Sequence, residues 1–180
     1  MDIQAGLAGL KRADAGAVAA VIAVVGALAI GGFFFFQYGL GLAPCPLCLE
    51  QRIPYYISVP LAGLLWLGAN HGAARKVLVA GFAVIAAAML WNSGIAVYHA
   101  GIEWQFWTGP ADCTGPLTDL RGPGGLLNQL QSISLVRCDV AAWRLFGLSL
   151  AGWNVPLSLA LAALSAWGCR GALARPADQR

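Results

Sequence analysis

The sequence predicts an all-α fold, a four-helix transmembrane bundle with a long outer loop that carries a short amphipathic helix. Two observations predict it. The chain is 59% hydrophobic and only 11% charged, whereas a soluble domain carries roughly 25% charged residues. The charges are also bunched. No Asp, Glu, Lys or Arg lies between Asp14 and Glu50, between Arg52 and Arg75, between Lys76 and Glu103, or between Arg144 and Arg170. A helix of about 20 apolar residues crosses a bilayer, and each gap holds one. Four such gaps in one short chain argue against a soluble protein with buried core helices.

The expected spans are Ala17–Gln37, Ile53–Ala69, Val77–Tyr98 and Leu145–Gly168, in a single membrane domain covering residues 1–180. The second is the shortest. The apolar run of the first exceeds the roughly 7–15 residues of a secretory signal core. No small-residue cleavage site follows Phe33–Phe36, so this span is expected to stay as an anchor. Basic residues near span ends set orientation. One side holds Lys11, Arg12, Arg75, Lys76, Arg170, Arg175 and Arg180. The other holds Arg52, Arg121, Arg137 and Arg144 together with Glu50, Glu103, Asp112, Asp119 and Asp139. The first set marks the cytoplasm. Both termini are then cytoplasmic, and two loops, 38–52 and 99–144, face outward. Trp104, Phe106 and Trp107 open the long loop at the level of an interfacial aromatic belt.

Within that loop Arg121–Gly125 is a flexible stretch. Leu126, Leu130 and Ile133 then follow helical spacing across Leu126–Val136, with polar residues elsewhere on the wheel. This segment is either a helix lying on the outer membrane surface or a loop helix packed on the protein.

The topology places Cys45 and Cys48 in the first outer loop, Cys113 and Cys138 in the second, and Cys169 at the cytoplasmic end of the last span. Two cysteine pairs on the oxidising side fit a disulfide-bonded protein. Cys169 stands alone and reads as a small apolar packing residue. Cys45-Pro-Leu-Cys48 is a C-x-x-C motif, which is either a redox pair or half of a zinc site. If Pro46 opens a helix, Cys48 falls in its first turn, where free N–H groups and the helix dipole favour a thiolate. Arg52 follows at i,i+4 and would share a helical face with Cys48. It could snorkel to headgroups, stabilise a Cys48 thiolate, or hydrogen-bond an anionic or carbonyl ligand beside it. A Cys113–Cys138 disulfide would close a glycine-rich loop. It would then be either a labile, exchanging bond or a structural staple.

Taken together, these residues resemble the disulfide bond formation protein B family. Cys45-Pro-Leu-Cys48-Leu-Glu-Gln-Arg52 is similar to its C-x-L-C-x-x-(Q/E)-R signature. Tyr98–Trp107 with Gly109–Cys113, and Cys138-Asp with Trp143–Asn154, are similar to the two ends of its long loop. The resemblance spans about 33–164 and includes all four outer cysteines.

It implies a multi-pass protein of the bacterial inner membrane with periplasmic cysteine loops and a bound quinone, ubiquinone or menaquinone. It also implies a periplasmic thioredoxin-fold dithiol oxidase as partner. That partner's thiol would attack the Cys113–Cys138 disulfide at Cys113, and a second exchange would pass the electrons to Cys45–Cys48. By the same match Cys48 faces the quinone, Arg52 tunes it, and His99 lies near it. Read from its own position, His99 is instead a solvated interfacial histidine. Glu50 and Gln51 receive no role.

Two other classes stay open: an outer four-cysteine zinc site, and a four-span protein whose loops are merely stapled. The vitamin K epoxide reductase-like family shares the chemistry. However, its C-x-x-C lies at its last span, whereas this one precedes the second.

Overall fold

A computed structural model describes residues 15–110 and 137–173. Cys113, the glycine-rich stretch and the amphipathic segment 126–136 lie outside the described residues. The described chain is predominantly helical. Helix α1 spans Ala15–Phe34 and passes into a π-helical turn, Phe35–Gly39. A five-residue helix α2, Pro46–Glu50, precedes α3, Ile53–Asn70. Helix α4 spans Arg75–Glu103. A two-residue hairpin, β1 Arg144–Leu145 with β2 Leu148–Ser149, leads into α5, Leu150–Leu173.

Among the described residues, three helices are long and apolar enough to cross a membrane: Ala15–Gly39, Arg75–Glu103 and Leu150–Leu173. Helix α3, with 18 residues, is about 27 Å long at 1.5 Å per residue. Its tyrosines, serine and asparagine lower its hydropathy below that of the others.

Each helix buries one stripe. In α1 the stripe is Ala15, Val18, Ala19, Ile22 and Gly26. In α3 it is Tyr55, Ser58, Ala62, Leu65 and Ala69. In α4 it runs Leu78, Phe82, Ile85, Met89, Asn92, Ala96, His99 and Ile102. In α5 it runs Ala151, Asn154, Ser158, Leu161, Ser165, Gly168 and Ala172. The outward faces carry Val24, Leu28, Leu64, Trp66, Trp91 and Trp167. Such a surface suits lipid, in which exposed leucine costs nothing.

Because lipid tails are as apolar as the side chains, helices associate through close packing and polar contacts. Small residues supply the first. A methyl group built on Gly168 would sit 2.6 Å from the Phe82 ring, so the glycine lets α5 and α4 approach. We expect Gly168→Ala to lower the unfolding temperature in detergent by overpacking, at a cost of about 1–3 kcal/mol. An unchanged melting curve would show that the two helices separate freely.

The α3–α4 connection opens with His71 and Gly72. Gly72 has φ +76°, and Ala73 N donates to Gly68 O at 2.7 Å. A left-handed residue just past a helix end is the usual place for glycine.

Three boundaries differ from the sequence expectation. Helix α4 runs on past Tyr98 to Glu103. There Gln105, at φ 61°, ends it, and Phe106 N donates to Gly101 O at 2.8 Å. At the last helix, the expected start at Leu145 is replaced by the hairpin. Phe146 and Gly147 take φ 50° and 83°, as a two-residue hairpin turn with positive φ at both centres requires. Ser149 Oγ then accepts from Gly152 N at 3.0 Å and caps α5. The uncharged run from Leu145 hid this turn, since hydropathy does not distinguish a short apolar hairpin from the start of a span. The hairpin is also a small exception to an all-α chain. Thirdly, Cys48 and Arg52 do not share one helix, because the chain turns at Gln51–Arg52 between α2 and α3.

Candidate functional site

Cys45 and Cys48 sit where α2 begins. Proline is well suited to a first helical position because the missing N–H has no partner to lose. Pro46 takes that place, and Cys45 becomes the cap. The backbone N–H of Cys48 donates to Cys45 Sγ at 3.2 Å. The two sulfurs are 2.8 Å apart. Two thiolates around a tetrahedral zinc, with bonds of about 2.3 Å, stand about 3.8 Å apart. Cys45, Cys48 and His99 do bring three ligand atoms within 4.8 Å of one another. Even so, the sulfur spacing is tighter than zinc asks and closer to that of a disulfide, about 2.05 Å.

The pair is electrostatically unequal. The Cys45 thiol donates to Cys48, and this holds the Cys48 pKa below its ordinary value against the opposing effect of burial. The same hydrogen bond, with burial, pushes Cys45 up to about 12, although His99 pulls it partly back. In the reduced protein Cys48 is therefore the more acidic thiol of the pair, the one that ionises first. Raising the pH from acid toward neutral is expected to switch on iodoacetamide alkylation at Cys48 well before Cys45, which stays protonated. Peptide mass mapping after a brief pulse at neutral pH checks the order. Equal labelling would contradict the asymmetry.

Cys138 is buried in a small cluster with Cys45, Leu47 and Ile102, against which Cys48 also packs. The structure thus brings a second-loop cysteine to the C-x-x-C pair. Its neighbours Arg137 and Asp139 are exposed and form a two-bond ion pair, Nε to Oδ1 at 2.8 Å and Nη2 to Oδ2. The guanidinium holds the Asp139 carboxyl below its usual range.

Cys48, Arg52 and His99 line one cavity of about 80 Å³, walled by Phe33, Phe36, Leu42 and Pro44. Arg52 is 7% exposed. Its Nη1 donates to Gln37 Oε1 at 2.6 Å, and its guanidinium carbon lies 5.6 Å from the Phe33 ring centroid and 6.0 Å from that of Phe34. Free snorkelling to headgroups is therefore not its arrangement here. A larger cleft of about 330 Å³ lies between α4 and α5 around Trp104, Trp107 and Pro156. Its lining holds no titratable side chain, whereas the smaller cavity brings Cys48, Arg52 and His99 together.

His99 departs from the solvated histidine that its position suggested. It is 2% exposed. Its Nε2 lies 3.6 Å from Cys45 Sγ and 3.8 Å from Glu103 Oε1, and its Nδ1 lies 2.8 Å from Gln51 Nε2. The ring also hydrogen-bonds the backbone of Cys138. It therefore contacts both thiol elements.

Gln51, given no role from the sequence, is buried at the centre of this arrangement. Besides His99 it meets Asn154, whose Nδ2 donates to Gln51 Oε1 at 2.7 Å. Asn154 Oδ1 accepts from Tyr55 Oη at 2.6 Å. The available signal was the presence of Asn92, Asn154 and Ser158 inside uncharged spans, where polar groups are uncommon and need partners. Glu50, by contrast, is exposed. Cys169 is half-buried against the core, its Sγ 3.9 Å from Val79 O, as a packing residue would be.

The sequence profile described as "Disulfide bond formation protein DsbB" matches residues 15–168 of the chain. The chain is 32% identical over 148 residues to disulfide bond formation protein B of Xanthomonas euvesicatoria pv. vesicatoria, covering 77% of this chain and 83% of that protein. It is 33% identical over 155 residues to the protein of the same description from Xanthomonas oryzae pv. oryzae, covering 79% and 87%. With that of Aromatoleum aromaticum the identity is 31% over 130 residues, covering 70% and 75%. No solved structure matches the chain.

Proposed function

The chain belongs to the disulfide bond formation protein B family of membrane oxidoreductases, and from that premise we propose that it is a thiol:quinone oxidoreductase. It reoxidises a periplasmic thioredoxin-fold dithiol oxidase and sustains disulfide formation. One observation carries this reading. The Cys45–Cys48 pair packs against the second-loop cysteine Cys138 on one side and opens, through Cys48, into the Arg52 cavity on the other.

In this reading α3 is the fourth span of a bundle in the bacterial inner membrane. Both termini are cytoplasmic, and the cysteine loops are periplasmic. The fit of the cavity to a quinone headgroup rests on its donor set. Phe33 and Phe36 offer flat apolar walls, Arg52 offers a cation, and Cys48 offers a sulfur of lowered pKa. These residues would hold a quinone, which would supply an acceptor for two electrons and two protons.

The protein's own part is thiol exchange. The partner's thiolate attacks the Cys113–Cys138 disulfide at Cys113 and releases Cys138 as thiolate. Cys138 then attacks Cys45 of the Cys45–Cys48 disulfide. A Cys138–Cys45 bond forms, and Cys48 leaves with the electron pair. The asymmetry of the pair suits this direction, because the sulfur of lower pKa is the better leaving group. Arg52 holds negative charge developing in the cavity, the same job that fixed donors perform for any oxyanion.

The test uses the purified protein in detergent with added ubiquinone or menaquinone and a reduced thioredoxin-fold dithiol protein, without oxygen. Absorbance should follow quinol formation in step with partner oxidation. Folded protein that forms no quinol with either quinone would overturn the reading.

A further inference from the structure

The buried polar side chains between the helices form a chain of hydrogen bonds with one direction. At its deep end Asn92 Nδ2 donates to Ser158 Oγ at 2.8 Å, and Ser158 Oγ donates to Asn154 Oδ1 at 3.3 Å. Tyr55 Oη donates to the same oxygen at 2.6 Å. With its oxygen taken by two hydroxyls, Asn154 presents its amide nitrogen to Gln51 Oε1 at 2.7 Å. Gln51 must then turn its own nitrogen to His99 Nδ1, at 2.8 Å. An amide NH₂ only donates, so Nδ1 must offer a lone pair. A neutral imidazole with a bare Nδ1 carries its hydrogen on Nε2, and Nε2 is the atom beside Cys45.

We propose that Gln51 is a positioning residue, held by Asn154 and Tyr55, that fixes His99 as the Nε2–H tautomer so that a permanent donor faces Cys45 Sγ. The Cys48 backbone N–H is the second donor to that sulfur, at 3.2 Å. Two fixed donors on one sulfur form a thiolate hole, comparable in logic to an oxyanion hole. The neutral His99 cannot act as the base that deprotonates Cys45, because its facing nitrogen already carries hydrogen. Its use comes when Cys45 is the leaving group. When the partner's second thiolate displaces Cys113 from the mixed disulfide, the partner leaves oxidised and the freed Cys113 thiolate attacks Cys138 of the Cys138–Cys45 bond. A Cys113–Cys138 disulfide forms, and Cys45 departs with the electron pair into the two donors. The other ionisable groups facing this sulfur and ring are Cys48, Cys138 and Glu103. Glu103 Oε1, 3.8 Å from Nε2, favours hydrogen on the same nitrogen. With Nδ1 bare, the ring's hydrogen bond to the Cys138 backbone also comes from Nε2–H, so Cys45 Sγ shares that donor with the Cys138 backbone.

The use of the donor at Cys45 rests on the thiol–quinone reading, but the position of the hydrogen does not. The chain has two histidines, His71 and His99, and His71 is exposed. ¹⁵N-histidine labelling in a His71→Gln protein therefore isolates the His99 ring by NMR, with no quinone or partner present. The expected spectrum has a bare Nδ1 and a protonated Nε2. In Asn154→Asp the carboxylate has no hydrogen to give Gln51. The Gln51 amide should turn over, present oxygen to His99 and draw a hydrogen onto Nδ1. Gln51→Glu should do the same directly. A bare Nε2 in the protein with native Gln51 and Asn154 overturns the proposal outright, and so does a bare Nδ1 that persists in both variants. The role at Cys45 is read in a Cys48→Ser background by iodoacetamide alkylation against pH. His99→Ala should lower the Cys45 thiolate at a given pH by about tenfold, one pKa unit. An unmoved midpoint would reduce the chain to a structural strut.

Discussion

Cys48→Ser should stop steady-state quinone reduction while leaving a single burst of partner oxidation. On the proposed mechanism the burst arises because a Cys113–Cys138 disulfide would still accept two electrons from the dithiol partner, at one equivalent per protein. After that the electrons have no route onward. Serine at position 48 cannot form a disulfide with Cys45, and the cavity beside Arg52 loses its sulfur. Removing one member of a set of groups that act as a unit typically costs on the order of 10⁴-fold or more, so the residual rate should be at background. Quenched-flow sampling of partner thiols beside quinol absorbance separates burst from turnover. Continued quinol production in Cys48→Ser would place the electron exit elsewhere. Cys45→Ser should show the same burst, because the exchange that follows needs both sulfurs.

The second large effect is expected at Arg52. A hydrogen bond to a charged group contributes about 1.5–3 kcal/mol, which at 1.36 kcal/mol per tenfold corresponds to about 10- to 150-fold in rate. Arg52→Ala should slow quinol formation by that much, with exchange between the partner and the loop disulfide unaffected. Arg52→Lys should recover part of the loss, since it restores charge but not the planar fork. Because Arg52 also holds Gln37 of the π-helical turn, Gln37→Leu serves as a control. If Gln37→Leu matched Arg52→Ala in full, the arginine would be acting by bracing the turn. Equal rates for Arg52→Ala and the unmodified protein would remove it from the chemistry.

Much of the architecture was legible because lipid imposes simple demands. Uncharged stretches of sufficient length located α1, α3, α4 and α5, and bunched cysteines located the thiols. The chain termini of those helices were harder to place. The Phe146–Gly147 turn and the break at Gln51–Arg52 depend on local backbone geometry that apolar composition does not encode. Arg52 still reaches the Cys48 cavity, although not along a shared helical face.

The polar centre was least legible. Gln51 and His99 are 48 positions apart, and Gln51 and Asn154 are 103 apart. Nothing within a single helix window links them. A glutamine at a membrane boundary and a histidine at a helix end both suit water equally well. Only the packing of α3, α4 and α5 removes water from them and makes their hydrogen-bond partners obligatory. The Cys45-Pro46-Leu47-Cys48 motif is open to either zinc or redox chemistry from sequence alone; its sulfur spacing and the nearness of Cys138 are what support the proposed redox reading.

The seam formed by Tyr55, Asn92, Asn154 and Ser158 has a consequence for how the protein assembles. A greasy cylinder among greasy cylinders can spin about its long axis with little change in energy. Oriented amides and hydroxyls stop that spin, because a turn of a few tens of degrees would strand them in hydrocarbon. The seam therefore acts as a rotational key, setting which way three helices face as they come together. Since the same key reaches Gln51, an error in helix rotation made deep in the bilayer would be felt at Cys45 and Cys48, and a correctly seated bundle arrives with its histidine already aimed.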